Sequence, residues 1–191
     1  GTGHLFDITM MRPVFRKGRI VAYTVSITHL PDIGGNGFGS ASTEVYQEAT
    51  FMPPTKLVDR GELREDVLDA WVRRSRLPDL MTLETKSQLA GISFAKRRLL
   101  EMIERYGAAT VKGGMRKMIS NAAETTGRRL SRLTDAKWTE KRYVAGASPG
   151  DENLYKLVVS IEKRGDRLLV SNEGTDPSTG SFNITAGVFR A

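Results

Sequence analysis

Two β-forming runs around a single glycine dictate how this chain begins to fold. Residues 6–15, "FDITMMRPVF", are rich in β-formers, and after "RKGR" the run "IVAYTVSITHL" alternates Val21, Tyr23, Val25 and Ile27 with smaller residues. Alternation at period two marks a strand with one face covered. Gly18 can supply the positive φ of a tight connection, as a two-residue turn or as a three-residue loop with a bulge. Antiparallel pairing then carries the start of the first run to the end of the second. There the only two histidines, His4 and His29, each open a His-Leu-x-Asp segment, with Asp7 and Asp32 three residues on. A two-residue turn sets His4 and His29 on one face, and a three-residue loop sets Asp7 and His29 there, because a one-residue slip inverts every side chain. Gathering His4, Asp7 and His29 into one site calls for a bend or a bulge.

Imidazole nitrogens with a carboxylate oxygen suit Zn, Mn or Fe(II), and three ligands leave coordination positions for water or substrate. The chain has no cysteine, which excludes disulfides, thiolate metal sites and cysteine nucleophiles. The competing reading of the same residues is a strand-capping histidine with turn-forming aspartates, Asp32 after Pro31 being an ordinary turn residue. The next segment, "DIGGNGFGS", has four glycines between Gly34 and Gly39 and must be loop. Its backbone N–H groups, with the hydroxyls of Ser40 and Ser42, can face an anion. The Lys-Ser/Thr ending of a phosphate loop is missing, so a plain connection is the favoured reading of its spacing.

Further along, "ELREDVLDAWVRRSRL" (62–77) predicts a helix with Leu63, Val67, Ala70 and Trp71 on one stripe. Residues 80–106 predict a second, interrupted near Gly91 and stopped by Gly107. A third, over 111–133, carries Met115, Met118, Ile119, Ala122 and Leu130, its methionines read as core filling. "YKLVVSIEK", "RGD" and "RLLVSNEG" predict a second hairpin. The class that follows is α+β, with β-hairpins flanking a central helical segment. Residues 1–60 form the hairpin and glycine loop, 61–145 the helical part and 146–191 the closing hairpin and loop.

A length of 191 residues suits one domain or a piece of a larger subunit. No apolar run approaches the roughly 20 residues that span a bilayer, and no secretory leader is spelled, so a cytoplasmic location is expected. The net charge of +7 is local, because residues 95–142 hold thirteen Lys or Arg against five Asp or Glu. Acids interleave these cations and few aromatics accompany them. A solvated face, or one meeting an acidic partner subunit, is therefore favoured over nucleic acid.

The stretch "GTGHLFDITMMRPVFRKGRIVAYTVSITHLPDIGG" resembles the hydantoinase B and oxoprolinase family, whose members read G-T-H-x-P-D-x-x-x-x-x-P-V-F, a hairpin, then H-x-x-D-I-G-G. "GSASTEVYQE", "RRLLEMIERYG" and "GTDPSTGSFN" continue the resemblance in the family's order. Leu30 stands where many relatives have a second histidine, Phe6 where proline is usual, and "SNEG" where an Asp-Phe-Ser-Gly-like turn is common. Family B-type components run to several hundred residues, so the resemblance leads us to expect a fragment of one.

What the resemblance implies is part of an ATP-dependent enzyme acting on cyclic amides such as N-methylhydantoins or oxoproline. An A-type, actin-like ATPase subunit or domain would phosphorylate the substrate, and the B-type component would complete the hydrolysis. The related acetone and acetophenone carboxylases, with ketone substrates, are the alternative, and a non-catalytic basic binding module is a third. The carboxylase branch implies manganese on His4, Asp7 and His29, and a divalent metal there, Mn or Zn, is the cofactor expected. Asp32 is expected as the catalytic base or as the group orienting a ligand. Gly34, Gly35 and Gly37 are expected where the loop approaches substrate.

Overall fold

A computed structural model describes residues 4–37 and 42–182. Gly39, Ser40 and Asn183, which belong to the motifs above, lie outside the described residues. The chain divides into two compact units, one built on residues up to Leu100 and the other on Glu101–Phe182. The α+β class holds, with hairpins on either side of long helices. Among the described residues no helix is long and apolar enough to cross a membrane.

In the first unit, β1 (Asp7–Arg16) and β2 (Arg19–His29) pair antiparallel. Lys17 and Gly18 form the two-residue turn, with φ of 50° and 73°, the positive pair that matches strand twist. Phe15 then faces Ile20 but Val14 faces Ala22, so Val21 is the extra residue of a bulge. The structure thus uses the short turn and a bulge together. An unbroken ladder from this turn would set Thr28 opposite Asp7; the bulge moves His29 there instead.

The hairpin buries its small residues. Thr24 is buried and Ala22 and Ser26 are half-buried, whereas Tyr23, Val25 and Ile27 are all more than half exposed. The cause is α3 (Pro78–Tyr106), which meets the small side through the turns around Gln88 and Ile92. Gln88 Nε2 donates to the carbonyls of Ile8 (2.8 Å) and Ser26 (3.0 Å), and Thr24 Oγ1 donates to Ile92 O (3.0 Å). Bulky side chains on that side would hold the helix too far away for these bonds. They also explain why α3 runs unbroken through Gly91, against the expected interruption. Tertiary ties at Gln88 and Ile92 outweigh the ~1 kcal/mol helix penalty of glycine.

Between hairpin and α3 come α1 (Val45–Glu48), the short strands β3 (Val58–Asp59) and β4 (Glu62–Leu63), and α2 (Glu65–Val72). A tight turn at Arg60 and Gly61 draws Glu62 and Leu63 into the β pair, so the helix expected over 62–77 is shorter. Its covered stripe is Leu68, Trp71 and Val72, and Ala70 is exposed. These residues pack with Phe6, Leu30, Ile33, Ala49 and Met81 as the unit's core.

In the second unit, Gly107 (φ 81°) ends α3 as expected and α4 (Ala108–Leu130) follows at once. Strands β5 (Ala136–Ala145), β6 (Leu154–Arg164) and β7 (Arg167–Ser171) form one antiparallel sheet in that order. The hairpin predicted at Gly165 is present. Residues 136–145 correct the helical expectation, because β5 pairs with β6 along its whole length. Asp135 Oδ1, accepting from Lys163 Nζ (2.6 Å) and Gly165 N–H (2.9 Å), pins the start of that pairing. A second correction concerns the α4 methionines: Met115 and Met118 are exposed, so they fill no core among the described residues.

Candidate metal centre

The bulged hairpin sets Asp7 directly opposite His29. His4 arrives by a turn, in which the Asp7 N–H donates to His4 O (3.2 Å). In an extended chain a residue three positions upstream would sit on the opposite face; the turn folds it back. Asp7 Oδ1 lies 3.5 Å from His29 Nδ1, and Asp7 Oδ2 lies 3.8 Å from His4 Nε2. One ligand atom from each residue falls within 4.8 Å of the other two. The gathering expected from the doubled motif is therefore present, with both devices, a bend and a bulge, in use.

The surroundings hold the rings in place. The His4 and His29 rings meet edge to face at 4.7 Å between centroids. Phe6, buried at 1% exposure, stacks on His29 at 5.5 Å and 17°. The Leu30 N–H donates to Phe6 O (3.0 Å), which fixes the chain just past His29. The His29 side chain is half exposed (49%), while His4 and Asp7 are about a quarter exposed, so the cluster opens on the His29 side.

Ligand atoms bound near 2.1 Å from one ion sit about 3–4 Å from each other. Side-chain shifts of about 1 Å bring the three residues to that spacing, and two imidazoles with one carboxylate are the donor set of Zn or Mn sites. The residues present fit such an ion.

Asp32 stands outside this cluster. It is buried, and its Oδ2 accepts from Ser75 Oγ (2.9 Å) and the Arg76 N–H, its Oδ1 from the Arg76 guanidinium (2.6 Å) and the Gly34 N–H (3.3 Å). Burial pushes its carboxyl up. The Arg76 N–H, Ser75 and Gly34 bonds and the Arg76 charge more than offset this and hold it below the ordinary carboxylate value. A carboxylate so engaged is a weak proton acceptor.

Gly34 and Gly35 are likewise turned inward. A Cβ on Gly34 would sit 2.8 Å from Thr50 Oγ1 and 2.9 Å from Arg74 O, and one on Gly35 would sit 2.6 Å from Glu48 O. Their close approach is to the protein's own chain. At Gly37 (φ 91°) an added Cβ would meet nothing within 4 Å. Sequence reasoning missed Ser75 and Arg76, whose signal is spatial, and took Phe6 only as a departure from the family spelling.

The family description Hydantoinase B/oxoprolinase matches residues 1–191. The caprolactamase subunit beta of Pseudomonas jessenii is 29% identical over 187 residues, covering 96% of this chain and 32% of that protein. The acetophenone carboxylase delta subunit of Aromatoleum aromaticum is 27% identical, covering 95% of this chain and 27% of that subunit. The crystal structure of ATP-dependent caprolactamase from Pseudomonas jessenii superposes with a TM-score of 0.79 at 29% identity, over 93% of this chain and 31% of that one. The chain thus spans a third or less of the length of these relatives. With motif order, fold and full-length family match in agreement, the chain belongs to the hydantoinase B/oxoprolinase family.

Proposed function

We propose that this chain is the metal-binding part of the B-type component of an ATP-dependent cyclic amide hydrolase. Its partner would be an A-type, actin-like ATPase that activates the substrate by phosphorylation, and use of ATP is in keeping with the cytoplasm. The observation that carries the reading is the convergence of His4, Asp7 and His29 at the open end of the hairpin. These three would hold a divalent ion, Mn or Zn. Such an ion supplies polarisation of a carbonyl or phosphoryl oxygen, or hydroxide near neutral pH.

The chain's other residues act by position. Phe6 restrains the His29 ring, and the half-exposed side of His29 leaves an approach for substrate. Asp32 is a positioning residue: by holding Ser75 and Arg76 it anchors the loop that leaves His29. Gly34 and Gly35 let that loop pack down, and at Gly37 the backbone would meet substrate. A ketone carboxylase is the second reading, favoured by the match to the acetophenone carboxylase delta subunit across 95% of the chain.

Metal analysis after incubation with Mn or Zn and desalting tests the site. About one ion per chain is expected in the wild type and a loss of at least about tenfold in affinity in His4→Ala and His29→Ala. No ion in the folded wild type, or equal content in both variants, would sink the metal assignment.

A further inference from the structure

The first hairpin has an edge that no strand covers. Among the described residues β1 pairs with β2 alone, and no other backbone hydrogen bond reaches residues 8–16. Pro13 stands within β1 without an N–H, which a strand tolerates where a position turns its backbone groups away from the ladder. Alternation then turns the N–H and C=O of Thr9 and Met11 the same way. Along this edge lies a cavity of about 600 Å³. One wall holds six of the seven residues from Thr9 to Phe15, about 20 Å of strand, and the other holds every residue from Thr55 to Gly61. Leu89, Ile92 and Lys96 of α3 also line it, so the cavity is a trough between two lengths of chain. Four cations, Arg12, Lys56, Arg60 and Lys96, border it against one acid, Asp59. Of the four, only Lys56 has a carboxylate in reach among the described residues, Asp59 at 3.5 Å. Arg12 Nη1 donates to the neutral Ser93 Oγ (2.5 Å).

We propose that an extended, acidic segment of a partner chain adds to the free edge of β1 in this trough, as a third strand of the hairpin sheet. An uncovered edge of this length is a ready template for strand pairing. Main-chain bonds from an added strand supply affinity, and the walls read its side chains. Charge selects the occupant. Three cations without a carboxylate favour Glu or Asp along the segment, and the apolar Leu57, Leu89 and Ile92 favour β-branched residues between them. A second copy of this chain is a poor occupant, because its net charge is +7 and edge-to-edge pairing would set the same four cations against each other. A small phosphate would meet the cations but leave the edge groups of Thr9 and Met11 unpaired. The inference does not depend on the metal cluster.

The test follows the fluorescence anisotropy of a fluorescein-labelled heptapeptide, Glu alternating with Val or Thr, against the 191-residue chain. Saturable binding is expected, weakening as salt rises from about 0.05 to 0.3 M, and the analogue with Lys in place of Glu should not bind. Main-chain pairing is read by two N-methylated versions, one blocked at odd positions and one at even positions. One phase alone faces β1, so their affinities should differ by more than about tenfold. Arg60→Glu combined with Lys96→Glu should weaken the peptide by at least about tenfold without lowering the thermal midpoint. No saturable binding, equal affinity for the Lys analogue, equal affinity of the two N-methylated peptides, or unchanged affinity in the folded double variant would overturn the assignment. Pyrophosphate that binds tighter than the peptide and displaces it would make the trough an anion pocket. A dimer with which the peptide competes would give the edge to a second copy. Either result also overturns the assignment. Should the double variant unfold, the two N-methylated peptides on the wild-type chain decide.

Discussion

Replacing Gly35 by alanine while leaving Gly37 as an internal comparison isolates how the glycine loop is held. At Gly35 φ is 69°, and an added Cβ would stand 2.6 Å from Glu48 O and 2.7 Å from both Ala49 Cα and Ala49 N. All three are backbone atoms with little freedom to yield. A left-handed conformation costs an L-residue about 1–2 kcal/mol, and overpacking against a fixed neighbour adds about 1–3 kcal/mol. Gly35→Ala is therefore expected to lose about 2–5 kcal/mol. At Gly37 φ is 91° and a Cβ meets nothing within 4 Å, so only the conformational part applies. Gly37→Ala should lose about 1–2 kcal/mol. The loop is already joined to the following segment by Asn36 N–H to Gln47 O (2.7 Å) and Thr50 N–H to Ile33 O (3.1 Å), so the Cβ cannot be relieved by moving the loop alone. Urea unfolding followed by circular dichroism measures both variants. A loss at Gly37→Ala equal to or larger than that at Gly35→Ala would refute the close packing of the loop on residues 48–49.

Two further outcomes concern carboxylates. Asp32→Asn should lose about 1–3 kcal/mol in the same unfolding assay. Because the folded Asp32 carboxyl is held below its ordinary value of 3.8, its contribution is full above that value and is lost as pH falls through the lowered folded value. The variant should show a shallower acid limb, and an acid limb identical to that of the wild type would count against the anchoring role. Asp151 accepts from Tyr155 OH (2.7 Å), the Ala147 N–H (2.9 Å) and the Asn153 N–H (3.0 Å), which pull its carboxyl down from 3.8 to about 2. By the same sign its stabilisation is present above 3.8 and fades as pH falls to about 2. Asp151→Asn should remove that part of the pH dependence, read as the thermal midpoint against pH, and a wild-type slope retained in the variant would contradict it.

Much of the site was legible before any coordinates. Alternation and Gly18 specify the hairpin locally, and antiparallel geometry then brings the two His-Leu-x-Asp segments to one end. The register was not legible, since it depends on a bulge at Val21 that no residue type marks. Asp32 and Asp7 carry the same spelling, yet only Asp7 joins the cluster. Ser75 and Arg76, more than forty positions away in sequence, draw Asp32 into another set of bonds.

The sequence alone determined the turn at Gly18, the first hairpin, the stop at Gly107 and which side chains could ligate a metal. These depend on backbone preferences and residue chemistry, which act over a few positions. Tertiary structure decided which face of the hairpin is buried: α3 selects Ala22, Thr24 and Ser26 because small residues let it reach the ladder carbonyls. It also carried α3 through Gly91 and recruited residues 136–145 into a sheet. Each of these depends on what packs against a segment, and periodicity along the chain does not specify the neighbour.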